Sequence, residues 1–274
     1  MNLSYLRRLK EAVQLELREH RSSFCVYMIL RILIIVIAIL QFKNKNYENV
    51  FFCILTLILF IVPSLIQLSF KIEIPKTLEI IIYIFIFSAE ILGEINNYYL
   101  VFPLWDTMLH TINGFIAAAI GFSLVNLLNN SDRLEFKLSP LFFVLVSFCF
   151  SMSIGVLWEF FEFGLDMILG TDTQKDVIIQ SFNTVAFNID GIITKFKDIN
   201  EVTINGYLLP IHGYLDIGLI DTMKDLLVNF IGALVFSIIG FIYLKQNEKG
   251  KMIRHFILTR KKEEKDYLSI QFKD

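Results

Sequence analysis

Long uncharged runs alternate with short polar stretches along this chain, and the runs have the length of a bilayer's hydrocarbon core. FCVYMILRILIIVIAILQF (24–42) is broken only by Arg31. VFFCILTLILFIVPSLIQLSF (50–70) has no charge and predicts a kink at Pro63. LEIIIYIFIFSAEILGEI (78–95) is shorter and carries Glu79, Glu90 and Glu94. A fourth run goes from Asp106 to Leu128, a fifth is LSPLFFVLVSFCFSMSIGVLW (138–158), and a sixth is LLVNFIGALVFSIIGFIYL (226–244). The pattern predicts an all-α integral membrane protein with six transmembrane helices.

Between the runs, 170–217 is long and polar. TVAFNIDGIITKF and EVTINGYLL each place Asp-Gly or Asn-Gly between alternating β-rich residues, and these dipeptides tolerate the positive φ of tight turns. A small β-hairpin insertion of two to four strands, packed on the helix ends, is expected there. The organisation that follows has three parts. Residues 1–23 form a cytoplasmic amphipathic helix, 24–244 the six-helix membrane domain with the insertion 170–217, and 245–274 a basic cytoplasmic tail. In the first part Leu6, Leu9, Val13 and Leu17 share one helical face, which either lies on the inner membrane surface or packs on the cytoplasmic loops. The tail, TRKKEEKDYLSIQFKD, reads as solvated and mobile.

Composition agrees with this class: 55% of the 274 residues are hydrophobic and 19% charged, so no large soluble domain is expected. Charge adds orientation. With six spans, 18 Lys and Arg fall on the side of the termini and five on the other, which places both termini in the cytoplasm. The net charge of −2 says little by itself, and nucleic acid is not an expected partner. Cys25, Cys53 and Cys149 share no motif and predict neither a metal site nor a disulfide framework, with Cys149 a small packing residue inside its span. Arg31 is expected to pair with a carboxylate or to snorkel inward.

This topology brings polar residues from four helices to the outer membrane boundary. Asp106 and His110 start the fourth span, Glu159, Glu162 and Asp166 end the fifth, Asp221, Asp225 and Asn229 start the sixth, and Glu90 and Glu94 end the third. Spacings of three, four, seven and eight residues put each set on one stripe. A solvated rim of acids is the plainer alternative. Against it, His110 and Asn229 lie deeper than a rim needs, and five of the acids sit near helix C-termini, where the macrodipole disfavours negative charge. Packed together, these groups need a cation, bound protons or a basic partner. Gly114, Gly155 and Gly232 flank the stripes and allow close helix approach.

The segments WDTMLHTINGF, VLWEFFEFGLD and LIDTMKDLLVNFIGA resemble the motifs of the YjdF-like family of uncharacterised bacterial multi-pass membrane proteins. More distantly they are similar to VanZ-like proteins. The resemblance covers about 95–240 and implies a multi-pass protein of the bacterial cell membrane; the VanZ-like likeness points to the cell envelope. The chain departs from the family after GTDTQKD, where some 40 residues precede the last helix.

Three classes of function stay open. In an outer-leaflet enzyme, Asp106, His110, Glu159, Glu162, Asp221 and Asp225 would hold a divalent cation such as Mg, Mn or Zn. Asp166 and Glu162 would be catalytic, Asn229, Glu90 and Glu94 further polar groups, and the substrate a lipid-linked or envelope phosphate. In a proton or cation transporter the same groups form an entry site. In a non-catalytic envelope scaffold they only tie helices together. The metal-assisted reading is preferred, and membrane lipids are the expected surroundings in all three. No P-loop, dinucleotide fingerprint or nucleophile motif occurs.

Overall fold

The computed structural model describes residues 3–129, 138–187, 190–246, 250–251 and 253–271, with side chains from residue 7 onward. Arg133 and Lys137, used above for orientation, lie outside the described residues, as does the side chain of Leu6. The helices are α1 Leu3–Leu17, α2 Arg21–Lys43, α3 Tyr47–Leu59, α4 Val62–Phe70, α5 Lys76–Phe87, α6 Tyr98–Val101, α7 Trp105–Asn129, α8 Pro140–Leu169, α9 Leu219–Lys245 and α10 Tyr267–Gln271. Among the described residues, five helical stretches are long and apolar enough to cross a membrane: Arg21–Lys43, Tyr47–Phe70, Trp105–Asn129, Pro140–Leu169 and Leu219–Lys245. The break between α3 and α4 falls just before Pro63, which sits in the first turn of α4, where its missing N–H costs nothing. The expected third span differs from the rest. Residues 76–95 are helical throughout, but α5 gives way to a π-helical segment, Ser88–Ile95.

The chain divides into two compact units, Met1–Ser153 with Val228–Asp274, and Ile154–Leu227. In the first, α7 is the central helix. Its Ala117, Ala118, Ala119, Gly121, Phe122, Ser123 and Val125 are buried, because small residues let neighbours close in around it. A Cβ on Gly114 would stand 2.1 Å from the Asn229 carbonyl oxygen, and one on Gly232 would stand 2.0 Å from that of Thr111. Hydroxyls add polar ties: Ser147 Oγ donates to the Ala118 carbonyl at 2.6 Å and Ser151 Oγ to that of Gly114 at 2.8 Å. One core cluster joins Phe122, Phe143, Phe236 and Tyr243; another joins Tyr27, Ile34, Phe60 and Tyr83 from α2, the α3–α4 bend and α5. By contrast α2 leaves Ile29, Ile32, Leu33, Val36 and Ile39 exposed, an apolar exterior suited to lipid. Cys149 is also exposed, so the packing role expected for it is corrected. Arg31 donates to the Tyr27 hydroxyl one turn away on its own helix.

The tail is not free. Ile253, Ile257 and Leu258 are buried, and the Leu258 N–H donates to Ser123 Oγ at 2.9 Å. Strand β1 (Ile72–Glu73) pairs antiparallel with a tail strand Thr259–Arg260. Lys261 forms a buried ion pair with Glu16, Lys265 bridges Glu19 at 2.6 Å and Glu73 at 3.3 Å, and Lys71 holds Asp266 at 2.6 Å. The expectation of a solvated tail fails because apolar residues upstream and opposite charges on α1 and the β1 loop anchor it. α1 likewise packs on the protein. Its most buried positions are Ala12 and Glu16, with Leu9, Val13 and Leu17 half-buried beside them.

The second unit holds the C-terminal part of α8, the N-terminal part of α9 and the connection between them. Its strands are β2 Ile178–Ile179, β3 Phe182–Thr184, β4 Thr194–Phe196, β5 Thr203–Ile204, β6 Tyr207–Leu208 and β7 Tyr214–Leu215; the tail strand is β8. They form antiparallel pairs β2–β7, β3–β4 and β5–β6. Asn205 and Gly206, at φ 51° and 84°, join β5 to β6, as their tolerance of positive φ predicts. Asp190-Gly191 lies in the longer connection between β3 and β4, with Gly191 at φ 70°. β3 ends at Thr184 and β4 starts at Thr194, with 188–189 outside the described residues. Phe182 stacks on Phe196 at 4.9 Å and packs against Tyr214 at 5.2 Å, giving the strand pairs a small aromatic core.

Candidate functional site

The first unit carries one half of the expected polar residues. Asp106 lies in the first turn of α7, where the helix dipole favours a carboxylate. One turn on, buried His110 approaches it with Nε2–Oδ1 at 3.4 Å. Another turn below, Asn113 Nδ2 donates to Asn229 Oδ1 at 3.3 Å. Asn229 is fully buried, and its own Nδ2 reaches the Ser151 carbonyl at 3.4 Å. One amide therefore links α7, α8 and α9 at the level where the Gly114 and Gly232 backbones touch. Asn113 was not singled out from the sequence, although its place three residues after His110 put it on the same stripe. Glu90, half-buried, and Glu94, exposed, sit on the π-helical segment. Such segments recur at functional positions because they turn side chains out of the α register.

The second unit carries the other half. Glu159 is buried and Glu162 half-buried, and they bring carboxylate oxygens within 4.8 Å of each other. Asp225 is 2% exposed. The remaining two acids organise the backbone. Asp166 Oδ1 accepts from the Thr171 hydroxyl at 2.8 Å and from the Thr173 N–H and hydroxyl at 2.7 Å each, while Oδ2 accepts from the Gln174 N–H at 2.8 Å. Asp221 accepts from the Lys175 N–H at 2.9 Å. Asp216 caps the start of α9, accepting from the Ile220 N–H at 2.6 Å and also from the Val177 N–H at 2.8 Å. Gln174 Nε2 donates to Thr222 Oγ1 at 2.6 Å. The GTDTQKD stretch is thus strapped to both helix ends of its unit, which explains its mixture of short hydroxyl, amide and carboxylate residues.

The chain spans about 62% of the length of a curated relative from Thermotoga maritima, described as an uncharacterized protein, to which it is 26% identical over 125 residues, or 46% of its own length. No solved structure matches it. A family model described as "Predicted membrane protein (DUF2238)" matches residues 25–246. The apolar helices, their polar ends and this match over most of the chain give one conclusion: the protein belongs to the DUF2238 family of predicted membrane proteins.

Proposed function

We propose that the polar residues at these helix ends serve at the extracytoplasmic face of a six-span bundle in a bacterial cell membrane, holding a divalent cation and acting on a lipid-linked or envelope phosphate. The observation that carries it is the packing of α7, α8 and α9 at Gly114, Ser151 and Asn229, together with the continuity of α8 and α9 beyond that level. The packed face of α7 continues to His110 and Asp106, that of α9 to Asp225, and that of α8 through Gly155 to Glu159 and Glu162.

Carboxylates with one imidazole suit Mg, Mn or Zn. Such an ion supplies an activated water and charge stabilisation for a phosphoryl group. Of the residues, Asp106 orients His110, Glu159, Glu162 and Asp225 supply charge, and Asn229 fixes the helices. Asp166 and Asp221 serve by holding the connecting loop. The transporter alternative is less favoured, since the α7 stripe runs into buried Ala117, Ala118, Ala119 and Phe122, which offer no proton path. The VanZ-like likeness enters here as support for an envelope role.

Parity supports six crossings. β1 and β8 pair, which favours the 71–75 loop and the tail on one membrane side. Between them run α7, α8 and α9, an odd number, so this reading has residues 76–95 cross as well. The charge bias makes that side cytoplasmic. In a chain whose native cysteines are replaced by serine, Thr203→Cys is expected to react with an impermeant reagent on intact cells, and a cysteine at exposed Glu263 only after lysis. The reverse pattern would move the site to the cytoplasm.

The cation is tested by melting the purified protein with Mg²⁺, Mn²⁺, Zn²⁺ or chelator. A bound ion raises the melting temperature by mass action, about 2.7 kcal/mol at a hundred times Kd. Glu159→Gln and Asp225→Asn are expected to remove that shift while leaving the metal-free protein as stable as before. No response to any metal, with both variants behaving like the parent, would eliminate the cation and leave the scaffold alternative.

A further inference from the structure

A cavity of about 480 Å³ lies within the first unit, between α4, α5 and α7, with Phe150 of α8 behind it and Leu258 of the tail at one end. Its size falls in the range of ligand pockets, roughly 300–1,000 Å³. Those pockets normally converge several polar groups. Here every lining side chain except Asn113 is apolar, Ile66, Ile82 and Ile120 among them. The one polar residue stands at the end nearer His110, three positions along α7, and is hydrogen-bonded to buried Asn229.

Shape selects the occupant. Lining residues on α7 run from Asn113 to Leu124, eleven positions or about 16 Å of axis, roughly half the ~30 Å hydrocarbon thickness. An elongated, almost wholly apolar groove with the polar Asp106–His110 pair beyond one end matches a single extended hydrocarbon chain and its head. A helix from a second copy is the competing occupant, which crosslinks to a second chain would reveal. Ile66 and Phe70 on its wall are exposed at the protein surface, which gives a lateral entrance at membrane depth. Ile72, Ile74 and Leu258 also line it, where β1 and the anchored tail meet.

We infer that this cavity binds one hydrocarbon chain of a membrane lipid whose head lies at the Asp106–His110 end of α7. From His110 to Leu124 is about 21 Å along the helix, the reach of one long-chain acyl or isoprenoid segment. The chain-binding part stands on the cavity alone; the identity of the head as a phosphate rests on the function proposed above.

The test uses the full-length protein in nanodiscs and two photoreactive probes, a long-chain alkyl phosphate and the alcohol of the same chain, each with a diazirine near the chain end. Labelling is expected at residues of the cavity wall around Ile120 and Phe150. Ile120→Trp, which fills the cavity, should lower it at least tenfold at an unchanged melting temperature. Ile82→Phe is the second filling variant should the first fail to fold. Leu145→Trp, on the exposed side of α8, should leave labelling as in the parent. Equal labelling of the parent and both filling variants, labelling spread evenly over the α2 exterior, or crosslinks to a second chain would each overturn the inference. The two proposals separate cleanly. Absence of cavity labelling with the metal-dependent melting shift intact removes the chain site and keeps the cation. Cavity labelling by both probes without any metal shift removes the cation and keeps the lipid. Preference for the phosphate over the alcohol, abolished by His110→Ala, ties the head to the polar site.

Discussion

Gly232→Ala and Gly114→Ala should each cripple the fold, and Gly164→Ala should not. The added methyl at 232 would stand 2.0 Å from the Thr111 carbonyl oxygen, and at 114 it would stand 2.1 Å from that of Asn229. Both obstacles are backbone, so no rotamer change relieves them; α7 and α9 must separate. Overpacking a well-packed core costs about 1–3 kcal/mol, sometimes more, and these positions belong at the upper end. Separation also breaks the Asn113–Asn229 hydrogen bond and uncovers Asn229. Gly164 has nothing within 4 Å of its Cβ position, so alanine there removes only glycine's conformational entropy and should stabilise α8 by about 0.5–1 kcal/mol. Melting temperature and the monodisperse fraction in mild detergent read the difference. A Gly232→Ala protein that melts with the parent would refute the close approach on which the site depends.

Lys261→Met should destabilise the packing of the tail on α1 by about 3–5 kcal/mol, the usual cost of removing one partner of a buried ion pair. Both side chains are 1% exposed. Burial pushes the Glu16 carboxyl up, and Lys261 pulls it only part of the way back. Without the lysine, Glu16 must either stay charged in an apolar setting or take a proton. The folded pKa then lies further above the unfolded value. Its penalty is absent below the unfolded pKa and grows as pH rises, so the variant should recover stability on acidification from pH 8 towards 5. Glu16→Leu combined with Lys261→Met should restore most of the loss, because neither charge remains. Asp266 has the opposite sign. Burial raises it, but the Lys71 ammonium and Ser269 outweigh burial and hold it at about 2. Its contribution is therefore present above the ordinary aspartate pKa of 3.8 and is lost as pH falls towards 2. Thermal melts at pH 8, 6, 5 and 3, with protease sensitivity of the tail, check both signs. A Lys261→Met protein whose melting temperature matches the parent at pH 8 would show that the pair does not anchor the tail.

The five apolar spans, the Pro63 break, the Asn205-Gly206 turn and the polar stripes were legible in the amino-acid order. Each depends on transfer of a single segment into lipid, on a helix period or on a local φ preference, and these need no distant partner. Asp106 with His110, and Glu159 with Glu162, are such local pairs. Only tertiary structure decided the rest. Lys261 meets Glu16 across 245 positions, so a lysine-rich segment that looks solvated becomes a buried strut. Asp166 looks like a catalytic acid by spacing, yet four hydrogen bonds from Thr171, Thr173 and Gln174 commit it to the loop. Residues 76–95 look like a weak span, and only the structure shows that their helix changes to a π-helical segment at Ser88–Ile95 and that β1, just before them, pairs with β8. The cavity beside α7 has no sequence signature at all. Its isoleucines and leucines match those of the packed core, and only the packing of α4, α5 and α7 determines which apolar side chains face one another and which leave a space.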